Sequence, residues 1–159
     1  MERPITLRDA ALDDIESLVA LQQGSPGAAP WSAADYESLL SAETTVCLLA
    51  EDEENDDPVG FVLARLAGGE MEILNLAVAP ARRRRGLGRR LVAEALARGR
   101  ARGVEKCWLE ARASNQAALE FYRALGFREH SRRRAYYRNP VEDAVICLRE
   151  LTAAAGPLP

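Results

Sequence analysis

The chain has 159 residues, which suits one domain and is enough to bury a hydrophobic core without disulfides or a structural metal. Hydrophobic residues make up 48% of it and charged residues 28%, as in ordinary globular proteins. The formal net charge of −3 excludes a polycation that coats nucleic acid. No apolar run approaches 18 residues and the N-terminal segment lacks a signal-peptide pattern, so we expect a cytoplasmic protein that does not bind membranes.

The first half of the chain predicts one strand, two helices and a β-hairpin. Apolar residues recur at helical spacing after Asp13 and Asp14, and again after Ser32, so we expect these polar residues to cap two helices. A glycine- and proline-rich loop separates the helices. The loop covers residues 24–30, the strands cover 5–7, 45–50 and 59–66, and an acidic segment that we interpret as a solvated hairpin tip covers 51–58.

The second half predicts alternating strands and helices that end in an antiparallel strand pair. The helices cover 86–102 and 116–125, and the strands cover 71–78, 107–111, 127–137 and 144–151. Gly103 and Gly126 are expected to end the two helices. This order predicts the α/β class, with a central mixed seven-stranded sheet and about four helices in a single domain, 1–152. We expect the remaining tail, 153–159, to be frayed.

Cysteine and histidine offer little catalytic chemistry. The three cysteines lie far apart in apolar runs without metal-ligand spacing, so we expect buried, reduced thiols at Cys47, Cys107 and Cys147. A catalytic cysteine needs a histidine partner, and the only histidine, His130, lies in a charged stretch where we expect it to be exposed. The sequence therefore predicts no metal site and no cysteine nucleophile.

Arginine supplies nearly all the positive charge, since Lys106 is the only lysine. One arginine run, 82–85, enters a turn that follows a strand and opens a helix, Arg83-Arg84-Arg85-Gly86-Leu87-Gly88. Free N–H groups and the helix dipole favour an anion there, glycines allow close approach, and arginines add phosphate contacts. The spacing fits neither the dinucleotide fingerprint nor a Walker loop. A solvated turn or a nucleic-acid patch is the alternative interpretation, and the negative net charge favours phosphate binding.

The spacing of Arg83, Gly86 and Gly88 resembles the Arg/Gln-x-x-Gly-x-Gly/Ala signature of the GNAT acetyltransferases, which holds the pyrophosphate of acetyl-CoA. Two further stretches, 107–115 and 121–127, resemble the RimI subgroup of that family, which acetylates the N-terminus of ribosomal protein bS18. The likeness extends from about residue 4 to residue 151. It implies the GNAT acyl-CoA N-acyltransferase fold, acetyl-CoA as co-substrate without a metal, and a protein N-terminus as partner, with no nucleic acid.

The resemblance also assigns residues to the cofactor. In the family, the strand before the glycine-rich turn carries a bulge and separates from the next strand, so that the pantetheine arm lies between them. We expect the bulge within 75–78, where it would leave N–H groups facing the gap. The implied cofactor-binding residues are Leu76, Ala77, Val78, Arg83, Arg84, Arg85, Gly86, Leu87, Gly88, Arg89 and Asn115. Asn115 could instead be only a helix cap.

Glu110 and Tyr122 match the family's general base and general acid. Acetyl transfer to an amine removes a proton from the ammonium and returns one to the departing thiolate, and these two side chains suit those steps. Alternatively, Glu110 is a strand-end carboxylate paired with Arg112 or Arg134, and Tyr122 is a core aromatic with a satisfied hydroxyl. The implied acceptor-binding residues are Trp31, Asn75, Tyr136 and Tyr137.

The basicity of amines favours an α-amine acceptor. With pKa values of about 7.8 for an α-amine and about 10.4 for lysine, far more of the α-amine is neutral at pH 7. We therefore expect an N-terminal acetyltransferase, with the N-terminal alanine of bS18 as the acceptor implied by the resemblance. A lysine or small-molecule amine acetyltransferase and a non-catalytic acyl-CoA-binding partner module remain alternatives, and the oligomeric state is unknown.

Overall fold

The computed structural model describes residues 3–151, in which seven strands form one mixed sheet flanked by four α-helices. The strands are β1 (Ile5–Asp9), β2 (Thr45–Asp52), β3 (Pro58–Ala67), β4 (Glu70–Val78), β5 (Lys106–Arg112), β6 (Arg128–Tyr137) and β7 (Glu142–Glu150). The helices are α1 (Ile15–Gln23), α2 (Ala33–Leu40), α3 (Leu87–Ala101) and α4 (Gln116–Ala124). The predicted fold class is confirmed, and the tail at 153–159 lies outside the described residues.

The sheet has the order β1-β2-β3-β4-β5-β7-β6. Strands β1 to β4 run antiparallel to their neighbours, β4 and β5 are parallel, and β7 lies between β5 and β6 as an antiparallel partner of both. Helix α3 supplies the crossover that two adjacent parallel strands require. The predicted change from antiparallel to parallel pairing at the glycine-rich turn is therefore confirmed.

Strands β4 and β5 stay together over only four residue pairs, from Glu70–Lys106 to Ile73–Leu109. Beyond that point the two strands separate. On its other side β4 is bulged: Ile73 and Asn75 face consecutive residues of β3, so Leu74 is the extra residue. We expected the bulge within 75–78, and its position is wrong by one residue. A bulge increases local twist, which is consistent with the separation beginning here.

The two faces of the sheet are covered unequally. Helices α3 and α4 pack on one face and enclose the larger core, which includes Leu91, Leu109 and Tyr122. Helices α1 and α2 pack on the opposite face, over β2, β3 and β4. On that face Trp108 of β5 and Ile146 of β7 remain only half-buried. This leaves an open half-sheet beside the point where β4 and β5 separate.

Helix caps agree with the sequence at two of three starts. Ser32 accepts a hydrogen bond from the Asp35 N–H at 3.1 Å, and Asn115 accepts one from the Ala118 N–H at 3.2 Å. Asp14 does not cap α1, which corrects the prediction. Its backbone is already helical (φ −89°, ψ −4°), so its carboxylate turns back to the N–H of Ala11 and to Arg8. An N-cap normally needs an extended backbone.

The thiols and the histidine lie where we expected them. The cysteines are free and buried, and burial raises the pKa of Cys47 and of Cys107 to about 12. His130 is exposed. The single lysine, Lys106, is half-buried at the first β5 position paired with β4, before the strands separate. Within residues 3–151, no helix has the length and apolar character needed to cross a bilayer.

Candidate active site

The turn between β4 and α3 has the backbone of an anion site. Gly86 adopts the left-handed conformation (φ 78°) at the N-cap position of α3, and no side chain caps the helix there. The N–H groups of the first helical turn are therefore left for a ligand. A Cβ at Gly88 would lie 3.3 Å from the ring of Phe121, so glycine lets α3 pack closely against α4. Leu87 points into the core.

The arginines of this turn divide into two groups. Arg84, Arg85 and Arg89 are exposed and form no hydrogen bond or ion pair within the described part of the chain. Arg83 instead donates through Nε to the Val78 carbonyl and through Nη2 to the Gly24 carbonyl. Arg82, preceding the signature, is paired with the buried Asp52 carboxylate. Three guanidinium groups thus remain available for phosphate oxygens.

The gap between β4 and β5 leads from this turn into the sheet. Leu76, Ala77 and Val78 follow the bulge on the β4 side, where β5 no longer pairs with the strand. Asn115 caps α4, which supports the structural role weighed for it. Its amide nitrogen would lie 2.6 Å from a Cβ at Gly27, so the loop 24–30 runs directly against it. Contact of Asn115 with a cofactor stays a prediction.

Glu110 is the first β5 residue beyond the last pair with β4. Its neighbours Leu109 and Ala111 enter the core beneath α3 and α4, so strand alternation places Glu110 on the open half-sheet. Its carboxylate lies 3.6 Å from Nη1 of Arg133 on β6, whereas Arg112 and Arg134 were the partners considered from sequence. The side chain is 23% exposed, so solvent reaches it.

Tyr122 approaches from the opposite face. Its ring is 8% exposed and packs edge-on against Phe121 and Phe127, with centroid distances of 5.0 and 5.6 Å. The hydroxyl has no hydrogen-bond partner among residues 3–151, unlike the satisfied core tyrosine that we considered. Burial raises the pKa of this hydroxyl well above its usual range. Tyr122 therefore keeps its proton at neutral pH.

The bulge is fastened to the loop 24–30 by buried polar contacts. Asn75 is 5% exposed, and its Oδ1 accepts hydrogen bonds from the N–H groups of Ala29 and Leu76, each at 3.1 Å. Its amide nitrogen donates toward Gln22 and Tyr36, each at 3.2 Å. Asn75 was expected to touch the acceptor. In the structure its amide is fully engaged in holding the loop.

Trp31 contacts the bulge, and the tyrosine pair packs against two arginines. Trp31 donates through Nε1 to the Leu74 carbonyl at 3.4 Å, which joins the end of the loop to the bulge. The guanidinium of Arg112 lies 4.4 Å from the ring centre of Tyr137, and that of Arg133 lies 5.3 Å from the ring of Tyr136. Tyr136 is 47% exposed, so it is the tyrosine more open to an incoming molecule.

Two features of the site were missed in the sequence. A cavity of about 390 Å³ lies on the open half-sheet beside Glu110, lined by Trp108, Ile146, Glu70 and Arg133 among others. Glu142 accepts hydrogen bonds from the N–H and hydroxyl of Ser114, which joins the β6–β7 hairpin to the start of α4. The alternation of Trp108 and Glu110 along β5 was the available signal for the cavity. The hairpin contact depends on pairing that one sequence does not reveal.

Metal chemistry has no ligand set here. Among the described residues, no group of three or more histidine, cysteine, aspartate and glutamate side chains could hold a metal ion. The site instead offers an N–H-lined anion turn, a gap in the sheet, a carboxylate on one face and a protonated phenol on the other. This arrangement can hold a phosphate-bearing thioester and move protons on both sides of its acyl group.

Comparison with known proteins agrees with this geometry. The model of the acetyltransferase (GNAT) family matches residues 12–127. The [ribosomal protein bS18]-alanine N-acetyltransferase of Escherichia coli K12 is 36% identical over 119 residues, which are 74% of this chain and 78% of that protein. The enzyme of the same name from Salmonella typhimurium LT2 is 42% identical over 94 residues, 58% of this chain and 64% of its own length.

A solved structure extends the likeness over nearly the whole fold. The crystal structure of the ribosomal-protein-S18-alanine N-acetyltransferase from Escherichia coli superimposes with a TM-score of 0.84 and 31% identity. The superposition covers 94% of this chain and 95% of that one. The residues matched by the family model include the glycine-rich turn, the strand that carries Glu110 and the helix that carries Tyr122. The chain belongs to the GNAT family of acetyltransferases.

Proposed function

We propose that this protein transfers the acetyl group of acetyl-CoA to the α-amine of an N-terminal alanine, with ribosomal protein bS18 as the acceptor. The observation that carries the proposal is the position of Glu110, the first β5 residue past the separation from β4, with the protonated Tyr122 approaching from the other face. The two relatives named for bS18 alanine support the choice of acceptor. A ribosomal protein as acceptor implies a reaction in the cytoplasm.

The residues present suit acetyl-CoA. The first turn of α3 and the unpaired Arg84, Arg85 and Arg89 would hold the pyrophosphate, and the backbone of Leu76 to Val78 would line the pantetheine arm. The bound thioester supplies an electrophilic carbonyl and a thiol leaving group. Backbone N–H groups of β4 that face the gap would donate hydrogen bonds to the amide groups of the pantetheine arm or to the thioester oxygen.

Glu110 would accept the proton of the incoming ammonium, directly or through water. Its solvent access and its position where the gap begins suit a base that takes up substrate protons. Tyr122 would donate its proton to the departing sulfur, since its hydroxyl is protonated and has no protein partner. With acid and base on opposite sides, the amine can attack the thioester directly while both substrates are bound.

The acceptor side has room for a polypeptide. The cavity beside Glu110 continues along the open half-sheet over Trp108 and Ile146, so residues that follow an acetylated N-terminus could rest there. Trp31 and Tyr136 are the proposed acceptor contacts, since Trp31 is bonded to the bulge of β4 and Tyr136 is exposed beside Arg133, which lines the cavity. An α-amine with a pKa of about 7.8 also needs little help to lose its proton, which suits a single exposed carboxylate.

The decisive experiment offers acetyl-CoA with two peptides and locates the acetyl group by mass spectrometry. One peptide begins with a free alanine, and the other is blocked at its N-terminus and carries an internal lysine. We expect acetylation of the alanine amine alone. Glu110→Gln should lower kcat by about 100-fold because the general base is lost, while acetyl-CoA still binds.

Glu94→Gln is the matched control, since Glu94 is an exposed carboxylate on α3 that also pairs with an arginine. It should keep the wild-type rate. Acetylation of the lysine peptide would favour the broader amine acetyltransferase. Acetyl-CoA binding without turnover of either peptide would favour the small-molecule or non-catalytic alternatives.

A further inference from the structure

We infer that Arg83 is a positioning residue. It couples the turn 83–88, called here the cofactor turn, to the loop 24–30, called here the acceptor loop. The identity of the acceptor rests on the proposed function. The family signature places Arg83 among the phosphate-binding residues. In this chain its hydrogen bonds go to other segments of the protein. Loss of a residue that holds the acceptor loop should raise the KM for the acceptor, whereas loss of a phosphate-binding residue should raise the KM for acetyl-CoA.

The contacts of Arg83 join two elements that are distant in sequence. Nε donates to the Val78 carbonyl at 3.0 Å, at the end of β4. Nη2 donates to the Gly24 carbonyl at 2.8 Å and toward the Ser25 hydroxyl at 3.3 Å. Gly24 is the C-cap of α1, where a cation is favoured by the helix dipole. The planar guanidinium is therefore a bridge between β4 and the end of α1.

The loop that Arg83 holds borders both substrate regions. Its middle is fixed by Asn75, which bonds Ala29, and Gly27 lies against the side chain of Asn115 at the start of α4. Its end reaches Trp31 beside the bulge. Arg83 is the contact with this loop that comes from the cofactor turn itself. A displacement of that turn is thus transmitted to the acceptor side.

The neighbouring arginines provide the contrast. Arg84 and Arg85 follow directly in sequence, are exposed, and form no hydrogen bond or ion pair within residues 3–151. They contribute positive charge at the turn without holding another segment. Positive charge alone does not require these contacts, since Arg84 and Arg85 supply charge without them. The two carbonyl hydrogen bonds of Arg83 therefore indicate a structural role. The geometry therefore separates one positioning arginine from the phosphate-binding arginines.

Steady-state kinetics of Arg83→Met and Arg84→Met test this division. We expect Arg83→Met to raise the KM for the alanine peptide about tenfold at saturating acetyl-CoA, with the KM for acetyl-CoA changed less than about twofold. Arg84→Met should show the reverse, a higher KM for acetyl-CoA. Arg83→Lys keeps the charge without a planar fork, so it should share the acceptor defect of Arg83→Met.

Arg102→Met is the matched control. Arg102 is also exposed and donates through Nη2 to a remote carbonyl, that of Glu43, at 2.8 Å, but it lies at the far end of α3. Its KM values should equal those of the wild type. An acetyl-CoA defect in Arg83→Met with an unchanged acceptor KM, or full restoration by Arg83→Lys, would overturn the inference.

Hydrogen exchange tests the coupling without turnover. The loop amides of Ser25 and Ala28 are bonded within 22–28, so they report on the loop's order. In the ligand-free protein, Arg83→Met should exchange over 24–30 several-fold faster than Arg102→Met. Equal exchange would refute the coupling. If neither peptide is acetylated by the wild type, the proposed function fails while the exchange result still decides the role of Arg83.

Discussion

At the scale of single residues, the two proton-transfer groups are distinguished by their surroundings. Glu110 is part-exposed beside a cation, so solvent reaches its carboxylate. Tyr122 is enclosed by aromatic rings, and burial keeps its hydroxyl protonated. A base needs its proton removed and an acid needs its proton retained, so the open and closed environments suit the two roles.

The pH profile follows from the raised pKa of Tyr122. An ordinary tyrosine ionises near pH 10, but burial raises the pKa of Tyr122 beyond that. We expect kcat to rise as the acceptor amine loses its proton and then to stay level at about pH 10. Tyr122→Phe should lower kcat by about 10- to 100-fold without changing the KM for acetyl-CoA.

Stopped-assay rates across the pH range would check this, with intact circular dichroism at each pH. A wild-type rate that falls with ordinary tyrosine ionisation would show that Tyr122 titrates freely. An unchanged rate in Tyr122→Phe would show that Tyr122 is not the general acid. Phe121→Leu is the control, since it loses aromatic packing beside Tyr122 but keeps the Tyr122 hydroxyl.

At the scale of elements, the bulge in β4 and the loop 24–30 form one unit. Asn75 satisfies the N–H groups of Ala29 and Leu76 and approaches Gln22 and Tyr36 in a buried setting. Buried polar groups that lose a partner cost more than the hydrogen bond itself contributed. Asn75 therefore supplies the buried contacts of the loop, in addition to the hydrogen bonds made by Arg83 and Trp31.

Asn75→Leu should lower the free energy of unfolding by about 3 kcal/mol, because it leaves several buried polar groups without partners. Urea denaturation measures the change. Asn55→Leu is the control, since Asn55 is exposed in the acidic hairpin tip with local contacts, and it should change stability by less than about 0.5 kcal/mol. Equal losses in the two variants would contradict the buried-network account.

The elements that the sequence predicts well are those with strong local patterns. The apolar stripe of α3, the cap at Ser32 and the glycine-rich turn all depend on residues close together in the chain. The bulge was misplaced by one residue because its position is set by the partner strand β3. Asp14 was misassigned because it ends a short 3-10 helix, Leu12–Asp14. Its carboxylate accepts hydrogen bonds from Arg8 and from the Ala11 N–H instead of capping α1.

Motif spacing in a single sequence proposes Glu110, Tyr122 and the turn 83–88 as site residues, and their roles stay predictions. Their contacts were less predictable. The Arg133 partner of Glu110 and the bridge made by Arg83 join strands and loops far apart in the chain. One sequence holds no signal for such pairs.

At the scale of the whole molecule, we expect buried thiols and a buried phenol to weaken the fold at alkaline pH. The chain has a single lysine, so few amines titrate above pH 9. Burial raises the pKa of Cys47, Cys107 and Tyr36 to about 12. The unfolded chain releases these protons at lower pH than the folded chain. The stabilising contribution is therefore complete only below about pH 8 and is lost as the pH rises toward 12.

We expect the free energy of unfolding to fall by about 1 kcal/mol per buried thiol between pH 9 and pH 10, in reducing buffer. The double variant Cys47→Ala, Cys107→Ala should be less stable at neutral pH and show a shallower decline above pH 9. Urea titrations at several pH values measure both slopes. Parallel slopes would show that the thiols do not carry the alkaline loss.

One lysine in an enzyme that acetylates amines limits what it can do to itself. Every acetyl group that a lysine side chain of this protein acquires, by catalysis or by spontaneous reaction with a thioester, must be on Lys106. That residue stands four positions before Glu110 on β5, roughly 13 Å along the strand. It is half-buried where β4 and β5 are still paired. Acetylation of the protein's own lysine side chains is thus confined to one position, which peptide mapping distinguishes from acetylation of a substrate.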